Sequence, residues 1–250
     1  MHLFQHTILK KQIASRIEKI QEAYKLYAAY FLNPAIQENI RNSKEEQFQE
    51  GFLRELFVKI LGYTLNPEPD YNLITEKKNE TNSKKADGAI LINGEVKAVI
   101  ELKDHKTTDL KQVETQAFGY KNNNRKTSYV IISNFEKLRF YIDNTIDFVE
   151  FNLFNLTFDA RTGASPVPTD DFAVLWICLA YENIAKDLPK QLKNESVNNE
   201  DRITKQLYKD YSAFKQELYA DIVANQQGGL PPCHYDQLTL FKKTQKLLDR

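Results

Sequence analysis

Apolar residues recur at three- and four-residue steps at the start of the chain, through Ile13, Ile17, Ile20, Tyr24, Tyr27 and Phe31, with Lys, Glu and Gln between them. That is the period of an amphipathic helix, and the first 42 residues read as helical. Pro34 restarts the chain for a short helix ending near Asn42. Ser43, followed three residues later by Glu46, reads as a capping box opening a second long helix from Lys44 to Leu61, which Gly62 ends. After a proline-bearing loop at Asn66–Asp70 the period shortens to two. Tyr71–Lys77, Ala86–Ile92 and Glu95–Leu102 then read as strands. Asn93-Gly94 between the last two is a hairpin signal, because both residues tolerate positive φ. An amphipathic helix is predicted at Thr107–Lys121, a buried strand at Ser128–Ser133, and two further strands at Leu138–Ile142 and Phe148–Leu153.

From Thr169 the pattern is helical again. One helix is predicted at Asp170–Leu188, with Pro189 marking its end, and another at Arg202–Asn225 beyond a polar bridge at Asn194–Asp201. The second carries Ile203, Leu207, Tyr211, Phe214, Leu218 and Ile222 on one stripe. A Gly-Gly-Leu-Pro-Pro break at 228–232 precedes a last helix starting at Gln237. That helix runs without a cap into the final residue, so a continuation is expected. The fold expected is α/β: a mixed central sheet flanked by helices at 1–155, followed by a helical connector at 156–250.

Composition adds bounds. Apolar residues make up 42% of the chain, and the 15 Phe and 13 Tyr are bulky, so a real core can be buried. Lys and Arg number 34, as do Asp and Glu, and the net charge of zero gives nucleic-acid binding no support from the total. Cys178 and Cys233 form no CxxC pair, and His2, His6, His105 and His234 are too scattered for a zinc site. No leader peptide is read at the N-terminus, and no window approaches the roughly 18 apolar residues of a membrane span. The expectation is a cytoplasmic protein without a membrane segment.

Chemistry concentrates in the run Lys84–His105. Asp87 enters one strand of the hairpin, and Glu101 and Lys103 leave the other on a common face, two residues apart. A turn at Asn93-Gly94 sets Asp87 opposite Val99 or Ile100, within about one residue of Glu101 across the ladder. Two carboxylates and an amine then meet at the end of a sheet. Such a group can hold Mg²⁺ through Asp87 and Glu101 while Lys103 orients or deprotonates an attacking water. A solvated sheet edge gives the same spacing. Against it stands the apolar context of AILI and VKAVI, where Glu and Lys are rare unless paired or ligating.

Asp87, Glu101-Leu-Lys103 and the hairpin resemble the PD-(D/E)xK nuclease superfamily. The resemblance implies a restriction-endonuclease-like fold and Mg²⁺-dependent cleavage of double-stranded DNA, with Mn²⁺ able to substitute. It also implies a Gln-x3-Tyr helix after the hairpin, matched by Gln116 and Tyr120, and an acid from the helix before it. Ala86 departs from the pattern, standing where the motif has proline. For the helix acid, Glu46 is preferred because it precedes Gly62-Tyr63 by the family's interval; Glu50 and Glu45 follow, and all are open to the reading of acids at a helix N-terminus. Lys85, with Ser83 and Lys84, is a candidate for the DNA backbone, or a solvated charge run. His105 is a phosphate contact or a turn residue. The order helix, LGY, hairpin, QxxxY and helical connector also resembles the N-terminal nuclease part of type IIG restriction-modification enzymes. That implies a covalently continuous methyltransferase and target-recognition region; no NPPY-like motif or Gly-rich cofactor loop is present in these residues. Two alternatives remain: a non-catalytic scaffold or partner-binding module, and a nuclease acting on RNA or on DNA ends.

Overall fold

The computed structural model describes residues 3–78, 85–124, 126–158 and 171–227. The readings at His2, Ser83, Lys84, the 228–232 break, Cys233, His234 and the helix from Gln237 lie outside these residues. The chain divides into two compact units between Val197 and Asn198.

In the first unit the helical opening is broken into α1 (His6–Ala14) and α2 (Ile17–Phe31), and the short helix expected from Pro34 is α3 (Pro34–Asn42). Asn33 caps α3, its side chain accepting from the backbone of Ala35 and Ile36, with Pro34 at the first helical position. The next helix begins one residue later than the capping-box reading. Ser43 closes α3, its hydroxyl donating to Asn39 O at 2.8 Å, and the Gln47 side chain reaches back to Lys44 N at 3.0 Å. This helix, α4 (Glu45–Phe52), continues as π-helix over Leu53–Ile60, where Leu61 N bonds Leu56 O at 3.1 Å. Gly62, at φ 79°, ends it.

Six strands form one mixed sheet in chain order: β1 (Leu73–Lys78), β2 (Lys85–Ile92), β3 (Glu95–Leu102), β4 (Tyr129–Ser133), β5 (Lys137–Ile142) and β6 (Phe148–Asn152). Every neighbouring pair is antiparallel except β3–β4, which α5 (Lys111–Asn122) connects as a parallel crossover. Asn93 and Gly94 both take positive φ, 54° and 79°, as the hairpin signal requires. The α/β class with helices about a mixed sheet is as expected.

The sheet is covered on both faces, unequally. One face (Ile90, Ile100, Tyr129, Ile131, Phe140) joins a large aromatic core with α1, α2, the π-helix and α6 (Asp171–Leu179). The other (Ala89, Val99, Val130, Ile132, Tyr141) packs under Val113, Ala117 and Tyr120 of α5. Buried Tyr27 ties the layers together, donating to Leu153 O at 2.9 Å and accepting from Leu156 N at 3.0 Å.

The helix expected at Asp170–Leu188 is two: α6, then α7 (Tyr181–Ala185) after a break at Ala180. Both pack within the first unit rather than acting as a connector, since Tyr63 donates to Leu179 O at 2.8 Å and Tyr181 N to Leu61 O at 2.9 Å. Pro189 does not end a helix. It lies at the second position of α8 (Leu188–Gln227), where a missing N–H has no intrahelical acceptor to disappoint. The helix α8 absorbs the polar bridge 194–201, and from Asn198 to Ala224 none of its side chains is buried. Among the described residues no helix is long and apolar enough to cross a membrane.

Candidate active site

The β2–β3 register fixes the first two acids. Gly88 pairs with Ile100, Ala89 with Val99 and Ile90 with Ala98, but Leu91 pairs with Val96, so the ladder shifts by one residue between Ile90 and Leu91. Lys97 is the extra residue. The bulge carries the register one step further than the turn alone predicts, and Asp87 comes level with Glu101. Its carboxylate accepts from Leu102 N at 2.7 Å, which locks it against the outgoing strand.

Glu101 is 1% exposed. Its Oε1 accepts from Lys103 Nζ at 2.7 Å and from Gln116 Nε2, while Oε2 is buried with no partner. Burial, opposed by the Lys103 hydrogen bond, pushes the Glu101 carboxyl up to about 7. Burial likewise raises Asp87 above the usual aspartate range, against the pull of Leu102 N and Lys103. Lys103 is the hub. It also donates to Leu102 O at 2.9 Å and lies 3.7 Å from Glu45 Oε1 and 4.0 Å from Asp87 Oδ2. Burial alone would lower its pKa; the hydrogen bond to Glu101 and the charges of Glu101, Asp87 and Glu45 outweigh that and raise it.

The helix acid that reaches this group is Glu45. Glu46 points into solvent, and Glu50 is exposed and paired with Arg54 at 2.9 Å. Helix α4 begins at Glu45, which is half-buried, with Glu46 exposed beside it. Burial raises Glu45 above the usual range, with Lys103 pulling the other way. Gln49, one turn along the same helix, donates to Glu45 Oε1 at 3.2 Å. Sequence reading used Gln49 only to centre the apolar face; the i,i+4 spacing from Glu45 was the signal for it.

Gln116 and Tyr120, one turn apart on α5, both face the cluster, with Gln116 Nε2 donating to Tyr120 Oη at 3.2 Å. Lys85 is exposed and paired with Glu76 at 2.7 Å, so it stands at the edge of the group. His105 lies in a turn as read, half-buried, with its Nε2 2.6 Å from Glu136 Oε2, which Arg41 also approaches at 3.5 Å.

Among the described residues no group of three or more His, Cys, Asp or Glu side chains is assembled to chelate a metal. The acids here are held instead around the Lys103 ammonium. Mg²⁺ needs only one or two carboxylates, completing its shell with water and phosphate oxygens. The unsatisfied Oε2 of Glu101, aligned with Asp87, is the donor such an ion would find, so these residues fit it.

The family model described as Type I restriction enzyme R protein N terminus (HSDR_N) matches residues 4–147. That span contains every residue of the cluster. No curated protein and no solved structure matches the chain.

Proposed function

The chain belongs to the family of type I restriction enzyme R protein N termini, and on that premise we propose that it is a DNA-cleaving part of a restriction enzyme, hydrolysing phosphodiesters with Mg²⁺. The observation that carries the reading is Glu101, a carboxylate almost wholly removed from water whose second oxygen has no partner. A buried acid left half-satisfied costs stability unless something bound restores the missing contact.

Asp87 and Glu101 hold the ion, and Mn²⁺ would substitute. When bound, it supplies positive charge where negative charge develops on the phosphate oxygens. Gln116 fixes the orientation of Glu101 through Oε1 and leaves Oε2 turned to the ligand. Lys103, raised and hence protonated, orients the attacking water and steadies the phosphate by donation; in this state it does not act as the base. Glu45, in place of Glu46, completes the acid group from α4. Lys85 and Tyr120 flank it as contacts to double-stranded DNA. The type IIG arrangement, a nuclease part continuous with a methyltransferase and target-recognition region in a cytoplasmic enzyme, is the finer form of this proposal; it is supported by the order of motifs and by α8 as the outgoing element.

Asp87→Ala and Lys103→Ala should each abolish Mg²⁺-dependent cutting of duplex DNA while the far-ultraviolet circular dichroism stays that of the parent. Cutting retained by either variant defeats the assignment.

A further inference from the structure

The turn between β4 and β5 touches both sides of the acid group. Ser133 O accepts from Lys103 N at 2.8 Å, and the Asn134 side chain donates to Thr107 O at 2.9 Å, so the segment leaving β3 is fastened to this turn. The turn is also closed from within. Asn134 Oδ1 accepts from Lys137 N at 2.7 Å, while Ser133 Oγ accepts from Phe135 N at 3.0 Å and donates to Lys137 O at 2.8 Å. Among these bonds Phe135 takes φ 70°, a left-handed conformation that costs a bulky residue about 1–2 kcal/mol, and its ring is fully buried.

That conformation brings the ring against α4. Phe135 meets Phe48 at 5.1 Å and Phe52 at 5.3 Å between ring centroids, both edge to face. Phe52 also lies against Phe31 and Phe57 of the main core. Phe48, among the described residues, has ring contacts only with Phe52 of its own helix and with Phe135. It follows Glu45 by three residues and so shares that face of α4. Gly51 leaves the ring its place, since a Cβ there would come within 3.1 Å of Phe48 Cδ2.

We propose that Phe135 is a positioning residue: it seats the opening of α4 through Phe48 and so fixes Glu45 at 3.7 Å from the Lys103 ammonium. This rests on the nuclease reading and adds to it a residue outside the hairpin and the QxxxY helix. One short turn carries both partners, Lys103 through Ser133 O and Glu45 through the Phe135 ring. Their spacing is then set by a rigid, buried piece of backbone rather than by the two long side chains themselves. Displacing a reacting group by about 1 Å from a distance can cost about 100-fold in rate.

The test is a double-mutant cycle on the full chain, read by steady-state cleavage, Mn²⁺ calorimetry and metal-free thermal melting. Phe135→Leu, which stays apolar and loses the ring, should lower kcat about 10- to 100-fold, weaken Mn²⁺ binding and leave the KM for DNA unchanged. Phe48→Leu should do the same, and the double variant should be no slower than the worse single one, because both act through one contact. Phe140→Leu is the control, a fully buried ring of the same core stacked on Tyr129. It should lower the melting temperature and leave kcat and Mn²⁺ affinity at parental values. Parental kcat and affinity in Phe135→Leu, losses that multiply in the double variant, or an equal loss in Phe140→Leu overturn the proposal and leave the nuclease reading in place. Should Phe135→Leu not fold, the half-buried Phe48→Leu, set against Phe140→Leu, decides. A parent chain that neither binds Mn²⁺ nor cuts DNA removes both.

Discussion

Glu101 takes up a proton near pH 7 in the folded chain and near 4.5 as an ordinary glutamate. Between those values the folded state holds more protons than the unfolded one, so stability falls as pH rises through the window. Asp87 and Glu45, raised in the same direction, add to the trend. Lys103 is raised from 10.5, so its favourable contribution is complete across the window and is lost only at alkaline pH. Glu136 and Asp147, held below their usual ranges, change only on the acid side. The metal-free chain should therefore show a urea midpoint that drops from pH 5 to pH 8, and Glu101→Gln should flatten the slope. A midpoint that rises over that range contradicts the assignment of burial as the main cause. At this scale Asp87, Glu101 and Lys103 were legible because spacing on a hairpin suffices to bring them together, and Gln116 through the Gln-x3-Tyr resemblance. Glu45 was not, because the preference for Glu46 rested on its interval to Gly62-Tyr63, and that interval contains the π-helix at Leu53–Ile60, whose wider turns a regular helical period does not anticipate.

Elements differ in how much of their position the chain states locally. The β2–β3 turn is fully local: Asn93 and Gly94 sit in the left-handed region where a side chain with a branched Cβ is strained. Gly94→Val should cost about 1–2 kcal/mol in a denaturant titration with an unchanged slope. No loss of midpoint would mean the turn tolerates another geometry. The bulge at Lys97 was not local. Its ammonium lies 3.0 Å from Asp187 Oδ2, a residue ninety positions further along, so nothing in the hairpin sequence announces it. The same holds for α6 and α7. Their apolar run predicts burial, but that they pack beside the π-helix depends on the remote contacts of Tyr63 and Tyr181. Pro189 misled because the residue that stops one helix is equally suited to start the next.

For the whole molecule, the boundary at Val197 divides a unit with two cores from a helical stretch in which nothing between Asn198 and Ala224 is buried. A chain ending at Val197 should keep a single cooperative thermal transition and the dichroism expected of its sheet. Aggregation or a gradual melt would show that the later residues stabilise the first unit. The unit's two ends meet in the aromatic layer, where Tyr27 and Phe172 rings lie 4.8 Å apart.

The strand order β1 through β6 has a kinetic consequence. Each strand finds its partner next along the chain, so the sheet can grow like a zipper from the Asn93-Gly94 corner, with short loops to close at nearly every step and one longer excursion through α5. The docking of α6 against α1 and α2 is the opposite case, a contact of high sequence separation that forms only once the chain extends past Leu179. On a ribosome, the ribbon bearing Asp87 and Glu101 would thus be assembled well before the layer that seals its other face.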